Sequence, residues 1–368
     1  MISRRSKIYV AGHQGLVGSA LVRELTRNGY TNLVVRSFQE LDVRNQLQVN
    51  EFFATQRPEY VFLAAAKVGG IGANATYKAE FVYDNIMIAS NVIHAAYLHG
   101  VKKLINFGSS CIYPKYAQQP LKEEYLLSGF LEPTNEPYAI AKIAAIKLCR
   151  YYNEQYGTNF VSLMPTNLYG PHDNFNLETA HVLPALMRKF HLAKLLMQGD
   201  YEAMCEDLAH YGIGFGLSLS DAPSRKGILS ILQHIGIEAD QVTLWGSGSA
   251  CREFLHVDDL AQAALFVAES YDYQDIGECI NVGTGVDCTI RHLAEIIRDS
   301  VGYQGRVYFD TTRSDGTPRK LLDVSCLQRL GWRPSLKLID GIRALYCWYA
   351  ESLKKGSSQN VKTVDESF

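Results

Sequence analysis

The chain has 368 residues, a formal net charge of −2 and 20% charged residues. That length gives one large or two smaller domains with ample core, and the near-neutral charge argues against nucleic acid or an anionic membrane as a partner. Eight cysteines without a C-x-x-C pair argue against a zinc ribbon or a disulfide framework, so no metal is expected, and no apolar run approaches membrane-spanning length.

The opening 1-MISRRSKIYVAGH-13 holds too short an apolar stretch for a signal peptide, which points to a cytoplasmic, reducing setting. From there apolar runs alternate with helical patterns. The run 7-KIYVAG-12 reads as a strand, 18-GSALVRELTRNG-29 as a helix and 33-LVVR-36 as a second strand. A helix over 45–56, a strand at 60-YVFLAAA-66, a helix over 83–100 and a strand at 103-KLINFG-108 follow. A helix over 138–157 leads to a strand at 160–170. Strands alternating with helices of these lengths predict parallel βαβ units, hence an α/β, doubly wound, Rossmann-type sheet. After Pro171 the rhythm breaks, and it returns with a helix and its lead-in at 252–270 and a buried strand at 279-CINVG-283. The tail is placed at 352–368, and its last dozen or so residues are polar and read as frayed.

Two motifs carry chemistry. Gly12-His13-Gln14-Gly15-Leu16-Val17-Gly18 is G-x-x-G-x-x-G between the first strand and the first helix. Its glycines permit a tight turn and close backbone approach, and the helix start offers unpaired N–H groups to a pyrophosphate. Arg36, at the end of the second strand, sits where an arginine suits the 2′-phosphate of NADP; it reads equally as a solvated strand-end residue. The second motif is Tyr138-Ala139-Ile140-Ala141-Lys142, which puts a phenol and an ammonium on one helix face. A lysine charge there is expected to lower the phenol's pKa and make it a proton donor near neutrality. Cys111, in 108-GSSCIYP-114, reads on its own as a small buried apolar residue.

The glycine turn, the serine at the strand end, Ser109, and the Y-x-x-x-K pair together resemble the extended short-chain dehydrogenase/reductase superfamily. The resemblance implies that Ser109 and Tyr138 bind the substrate oxygen at the carbon that exchanges hydride, and that Lys142 also holds the nicotinamide ribose. It implies NADP(H) as cofactor, lined further by Phe107, Pro165, Asn167, Leu168 and His181. Longer segments, 61-VFLAAAKVGGIGAN-74, 132-EPTNEPYAIAKIA-144, 164-MPTNLYGPHDNF-175, 253-EFLHVDD-259 and 316-GTPRKLLDV-324, resemble the GDP-L-fucose synthases over nearly the whole chain. That family inverts two carbons alpha to a ketone with a cysteine base and a histidine acid, then reduces the ketone. The roles fall here on Cys111 and His181. A thiolate suits carbon deprotonation if a cation or helix end depresses its pKa, and His181 titrates near neutrality. Lys189, Trp245, Arg252 and Asp315 are implied as contacts to a GDP-sugar, with Arg319 and Lys320 as further candidates. A homodimer is implied as well.

The chain departs from that family in two places. Gln14 and Phe38 stand where arginines suited to a 2′-phosphate are common, so NADH use stays open. Some forty residues between Leu192 and Leu244 are extra, and patterns at 200–212 and 227–236 predict a helical insertion near 196–240 that decorates the surface or extends an interface. The expected domains are 1–171 with about 253–285 for the dinucleotide, and about 172–252 with 286–351 for the substrate. Alternatives are a GDP-L-colitose synthase, another sugar-nucleotide epimerase or reductase, and a dinucleotide sensor without catalysis. The last is disfavoured because Tyr138 and Lys142 are both present.

Overall fold

The computed structural model describes residues 2–217, 224–313 and 315–360. The chain divides into two compact units. The first holds Met1–His172, Glu253–Asp287 and Arg319–Ser335; the second holds Asp173–Arg252, Cys288–Pro318 and Leu336–Phe368.

The first unit is built on β1 (Ile8–Ala11), β2 (Leu33–Val34), β3 (Tyr60–Leu63), β4 (Lys103–Phe107) and β5 (Phe160–Pro165). A short β6 (Asn167–Tyr169) follows, then β7 (Gln241–Trp245) in the second unit, β8 (Cys251–His256) at the boundary and β9 (Ile280–Val282). Six of these form one sheet in the order β2-β1-β3-β4-β5-β9, every pair parallel. The residues of β1, β4 and β5 are buried throughout, as a sheet covered on both faces requires. Alternation decides which face each residue serves. Ile8 and Val10 pack with Leu21 and Leu25 of α1 (Leu16–Arg27), while Tyr9 and Ala11 pack with Phe53 of α2 (Gln46–Gln56). After α3 (Ile71–Thr76), the helices α4 (Lys78–Leu98) and α5 (Glu136–Tyr156) share that second face through Val92, Ile93 and Ala145. Helix α5 starts with a proline in its first turn and stops at Gly157, whose φ of 67° provides the left-handed cap. The order reverses between β1 and β3, so a switch-point crevice opens at their C-terminal ends.

Several expectations need correction. The strand expected over 160–170 is broken at Thr166 into β5 and β6, and β6 leaves the main sheet to pair with β8. The lead-in at 252–256 lies in that strand β8. The helix proper, Val257–Ser270, starts at His256, whose Nδ1 accepts the Asp258 N–H at 3.2 Å. Residues 319–335 belong to the first unit rather than to the substrate domain. The reason is the fully buried Glu253 carboxylate, which accepts N–H bonds from Gly285 at 2.7 Å and Leu322 at 3.0 Å and so ties three distant segments together. Residues 352–360 continue the last helix, Leu338–Asn360, instead of fraying; the remainder of the expected tail lies outside the described residues.

In the second unit, α6 (Val182–Gln198), α7 (Tyr201–Tyr211) and α8 (Arg225–His234) precede β7, which pairs in parallel with the strand Arg306–Asp310. The extra segment is helical as expected, but α7 is more than decoration. Its Asp207 is fully buried and receives the Arg188 Nε at 2.8 Å, and the Tyr349 hydroxyl closes on its other oxygen. Arg188 also donates to the Phe175 carbonyl at 2.9 Å, and Tyr211 stacks on Tyr349 at 5.1 Å. A buried ion pair stripped of one partner leaves an uncompensated charge. Asp207→Ala is therefore expected to cost about 3–5 kcal/mol, read as a lower denaturant midpoint. No described helix is long and apolar enough to cross a membrane.

Candidate active site

The turn after β1 is shaped by backbone contact. A Cβ at Gly18 would lie 2.0 Å from the Gly12 carbonyl oxygen, and one at Gly12, where φ is +80°, would lie 2.7 Å from the Ala65 backbone. Only glycine brings β1, β3 and α1 this close. The α1 N-terminus carries no side-chain cap and no acid in its first turn, so its N–H groups face outward unspent. The buried Nδ1 of His13 has no hydrogen-bond partner among the described residues. A cradle of glycines, free helix N–H groups and an orphaned ring nitrogen fit the pyrophosphate of a dinucleotide. Arg36 donates to the Val35 carbonyl at 2.7 Å and lies over the Phe52 ring at 5.8 Å, which leaves most of its fork unengaged. Phe38 is exposed and carries Arg44 over its ring at 5.1 Å; that guanidinium is committed to Asp42 and Asp84.

At the end of β4 the chain turns through Ser109 into a short 3-10 turn, Ser110–Ile112. Ser109 Oγ accepts the Cys111 N–H at 3.4 Å, which holds the thiol beside the hydroxyl. On α5, Lys142 is buried and donates from Nζ to the Phe107 carbonyl at 2.7 Å. Its ammonium lies 5.6 Å from the centre of the Tyr138 ring, one turn earlier. Tyr138 meets Phe81 of α4 edge-on at 6.5 Å. The structure thus brings Ser109, Cys111, Tyr138 and Lys142 together within the first unit.

Their proton affinities differ from expectation. Burial dominates at Tyr138 and raises its pKa, with the nearby Cys111 charge adding to the rise, so the phenol stays protonated rather than becoming acidic. Burial also raises the Cys111 pKa, against the charges of Lys320 and Lys142 and the Ser109 hydrogen bond. The condition that favours a resting thiolate, a depressed thiol pKa, is not met here. Burial lowers Lys142 to about 8, partly offset by Cys111.

The remaining predicted residues divide by unit. Phe107 contributes the carbonyl just described and packs its ring into the core. Pro165 ends β5 beside Val282. Asn167 spends its amide on the Glu253 carbonyl at 2.8 Å, and Leu168 is half-buried. His181 is the N-cap of α6, with no side-chain cap bond. Lys189 is turned inward: its ammonium donates to the Ile235 carbonyl at 2.7 Å and the Thr243 carbonyl at 3.2 Å, and burial lowers its pKa to about 8. The end of the extra segment, at Ile235, therefore takes up a lysine expected to meet phosphate. Trp245 is 60% exposed at the end of β7. Arg252 donates to the Cys251 carbonyl at 2.8 Å. Asp315 accepts the Ser247 N–H at 2.7 Å and hydroxyl at 2.8 Å, folding the turn at Gly246.

The model of the NAD dependent epimerase/dehydratase family matches residues 8–207 and 210–283. The chain belongs to that family. Within it, GDP-L-fucose synthase 1 of Arabidopsis thaliana is 49% identical over 353 residues, 96% of each chain. GDP-L-fucose synthase of Escherichia coli K12 is 49% identical over 354 residues, covering 95% of this chain and 98% of that one. A solved GDP-D-glycero-L-gluco-heptose synthase from Campylobacter jejuni, crystallised in the presence of NADPH, is 42% identical with a TM-score of 0.86, covering 95% and 100%.

Two residues of this family member take places that sequence reasoning did not assign. Lys320, expected near the nucleotide, instead sets its charge against Cys111. Arg319, beside it, is committed to Asp287 at 2.6 Å. The strand that carries them pairs into the small sheet of β8, a nonlocal pairing no sequence window reveals. Gly18→Ala is expected to weaken NADPH binding by roughly tenfold or more, equivalent to about 1.4 kcal/mol, measured by titration of nicotinamide fluorescence.

Proposed function

We propose that the protein converts GDP-4-keto-6-deoxy-D-mannose to GDP-L-fucose by epimerisation at C3 and C5 followed by reduction at C4. The observation that carries this reading is the Cys111 thiol held within the Ser109, Tyr138 and Lys142 constellation. A simple reductase needs no proton carrier there. A ketone at C4 acidifies the hydrogens on C3 and C5, and inversion requires that a proton leave one face and return on the other.

Ser109 and Tyr138 hold the C4 oxygen while negative charge develops on it, acting as an oxyanion site. Cys111 moves protons at the ring carbons, and His181, assigned by family resemblance, is the second proton carrier. Because the resting thiol is neutral, its thiolate fraction limits deprotonation and grows with pH. NADPH supplies hydride to C4 when bound. Tyr138, kept protonated by its surroundings, then gives its proton to the oxygen. Lys142 keeps Tyr138 and the nicotinamide ribose in register from its anchor on Phe107. Arg252, Trp245 and Asp315 are the proposed GDP contacts, with Lys189, which has two of its three donors on carbonyls and one left for the nucleotide. Arg36 favours NADPH over NADH, with Gln14 and Phe38 supplying no further charge. The exposed Tyr83, Leu98, Ile140, Tyr151 and Tyr156 on α4 and α5 support a homodimer through those helices. The eight cysteines are free, which suits a reducing, cytoplasmic setting.

A GDP-linked 4-keto heptose is the second reading, favoured by the likeness to the heptose synthase. The two are separated by offering each ketone with NADPH and identifying the product by NMR. Conversion of the 6-deoxy-hexose to GDP-L-fucose supports the first reading; turnover of the heptose alone, or of the 3-deoxygenated colitose precursor alone, rejects it. Tyr138→Phe is expected to lower reduction by roughly 10²–10⁴-fold, the usual contribution of a positioned proton donor, measured by NADPH oxidation. The half-reactions should also part with pH. Lys142 loses its charge as pH rises through about 8, so C4 reduction declines there. The raised Cys111 pKa keeps hydrogen exchange at C3 and C5 increasing through the same range. Separate pH profiles of reduction and exchange check both signs.

A further inference from the structure

The Trp245 indole lies 60% exposed at the end of β7, directly paired with Asp310 on the neighbouring strand. That strand ends in a tight turn. The Asp310 carboxylate accepts the Thr312 N–H at 3.0 Å and hydroxyl at 2.6 Å, and its carbonyl accepts the Arg313 N–H at 3.3 Å. The turn sets the Arg313 guanidinium over the Trp245 ring, 5.2 Å from its centre.

Two charged groups near this turn already hold Ser247. Asp315 accepts from it with one bond on each oxygen. Arg291 donates to the Ser247 carbonyl at 2.7 Å and stacks on Phe309. Among the described residues, the Arg313 guanidinium enters no hydrogen bond or close ion pair; it feels only the nearby Asp310 charge and the indole beneath it. An exposed aromatic face accepts any purine, because every base offers a π surface. Discrimination must then come from donors or acceptors at the base edge. A guanidinium fork matches the paired O6 and N7 acceptors of guanine; adenine presents an amino donor where guanine presents O6.

We propose that Arg313 is the specificity-determining residue for the nucleotide base, selecting guanine over adenine at the Trp245 face. This rests on the reading that the substrate is a GDP-sugar, and it adds the residue that makes the nucleotide GDP. The base stacks on the indole, and Arg313 turns its N–H pair to O6 and N7. Arg252 is left to the diphosphate, where a planar fork also suits the oxygens.

The test is calorimetric titration of the full chain with GDP and with ADP, for wild type, Arg313→Ala and Arg313→Lys. Wild type is expected to prefer GDP. Arg313→Ala should lose about tenfold or more of that preference, through weaker GDP binding with ADP nearly unchanged. Arg313→Lys keeps the charge and loses the fork, so it should lose the preference while retaining diphosphate attraction. NADPH affinity, unchanged in both variants, shows that the fold is intact. GDP binding with a wild-type GDP-to-ADP ratio in Arg313→Ala overturns this assignment alone. Absence of GDP binding to the wild type overturns the GDP-sugar reading, and this assignment with it.

Discussion

The candidate site depends on one buried hydrogen bond, from the Lys142 ammonium to the Phe107 carbonyl at 2.7 Å. It joins the middle of α5 to the last residue of β4. Phe107 precedes the turn that carries Ser109 and Cys111, and Lys142 is one helical turn beyond Tyr138. This contact, with the packing of Ile112 and Tyr113 against Ile143 and Ile146, holds together the two chain segments proposed to bear the chemistry. Burying an ammonium is costly without partners, and the carbonyl offsets only part of that cost, so Lys142 titrates near 8. The same enclosure keeps the phenol and the thiol protonated.

That enclosure sets the division of labour. A protonated phenol is the form that can finish a reduction, and it needs no activation before hydride arrives. A protonated thiol is the less active form for removing a carbon-bound hydrogen. Lys320 and Lys142 pull the thiol toward ionisation while burial resists. Reduction is poised at neutral pH, whereas proton abstraction depends on how far those charges prevail. In the proposed mechanism both chemistries share one oxyanion pair, Ser109 and Tyr138, because both place charge on the same ketone oxygen.

Much of the first unit is legible in the sequence. Its strands are buried on both faces and read as continuous apolar runs, and its glycine turn and Y-x-x-x-K pair are local patterns. What sequence reasoning missed is nonlocal or energetic. The break at Thr166, and the return of 319–335 to the first unit, follow from β6 and β8 pairing and from Glu253 binding distant N–H groups. The inward turn of Lys189 follows from carbonyls at Ile235 and Thr243, which no spacing rule connects to it. The expected fall in the Tyr138 pKa considered a neighbouring cation and neglected burial, which is the larger effect there and at Cys111. The buried Asp207 in α7 was hidden because an acid on a polar-looking helix reads as solvated until its arginine is placed.

The central claim is that Cys111 makes a reductase site into an epimerase. It is tested most directly with GDP-4-keto-6-deoxy-D-mannose in deuterated water, the enzyme being loaded with NADP⁺ so that no hydride is available. NMR then follows deuterium at C3 and C5 of the unreduced ketone, for wild type and Cys111→Ser. The account predicts deuterium at both carbons with wild type and little above the solvent rate with the variant. Equal incorporation by the two proteins would contradict it, as would a wild type that reduces the ketone with NADPH yet never exchanges those hydrogens.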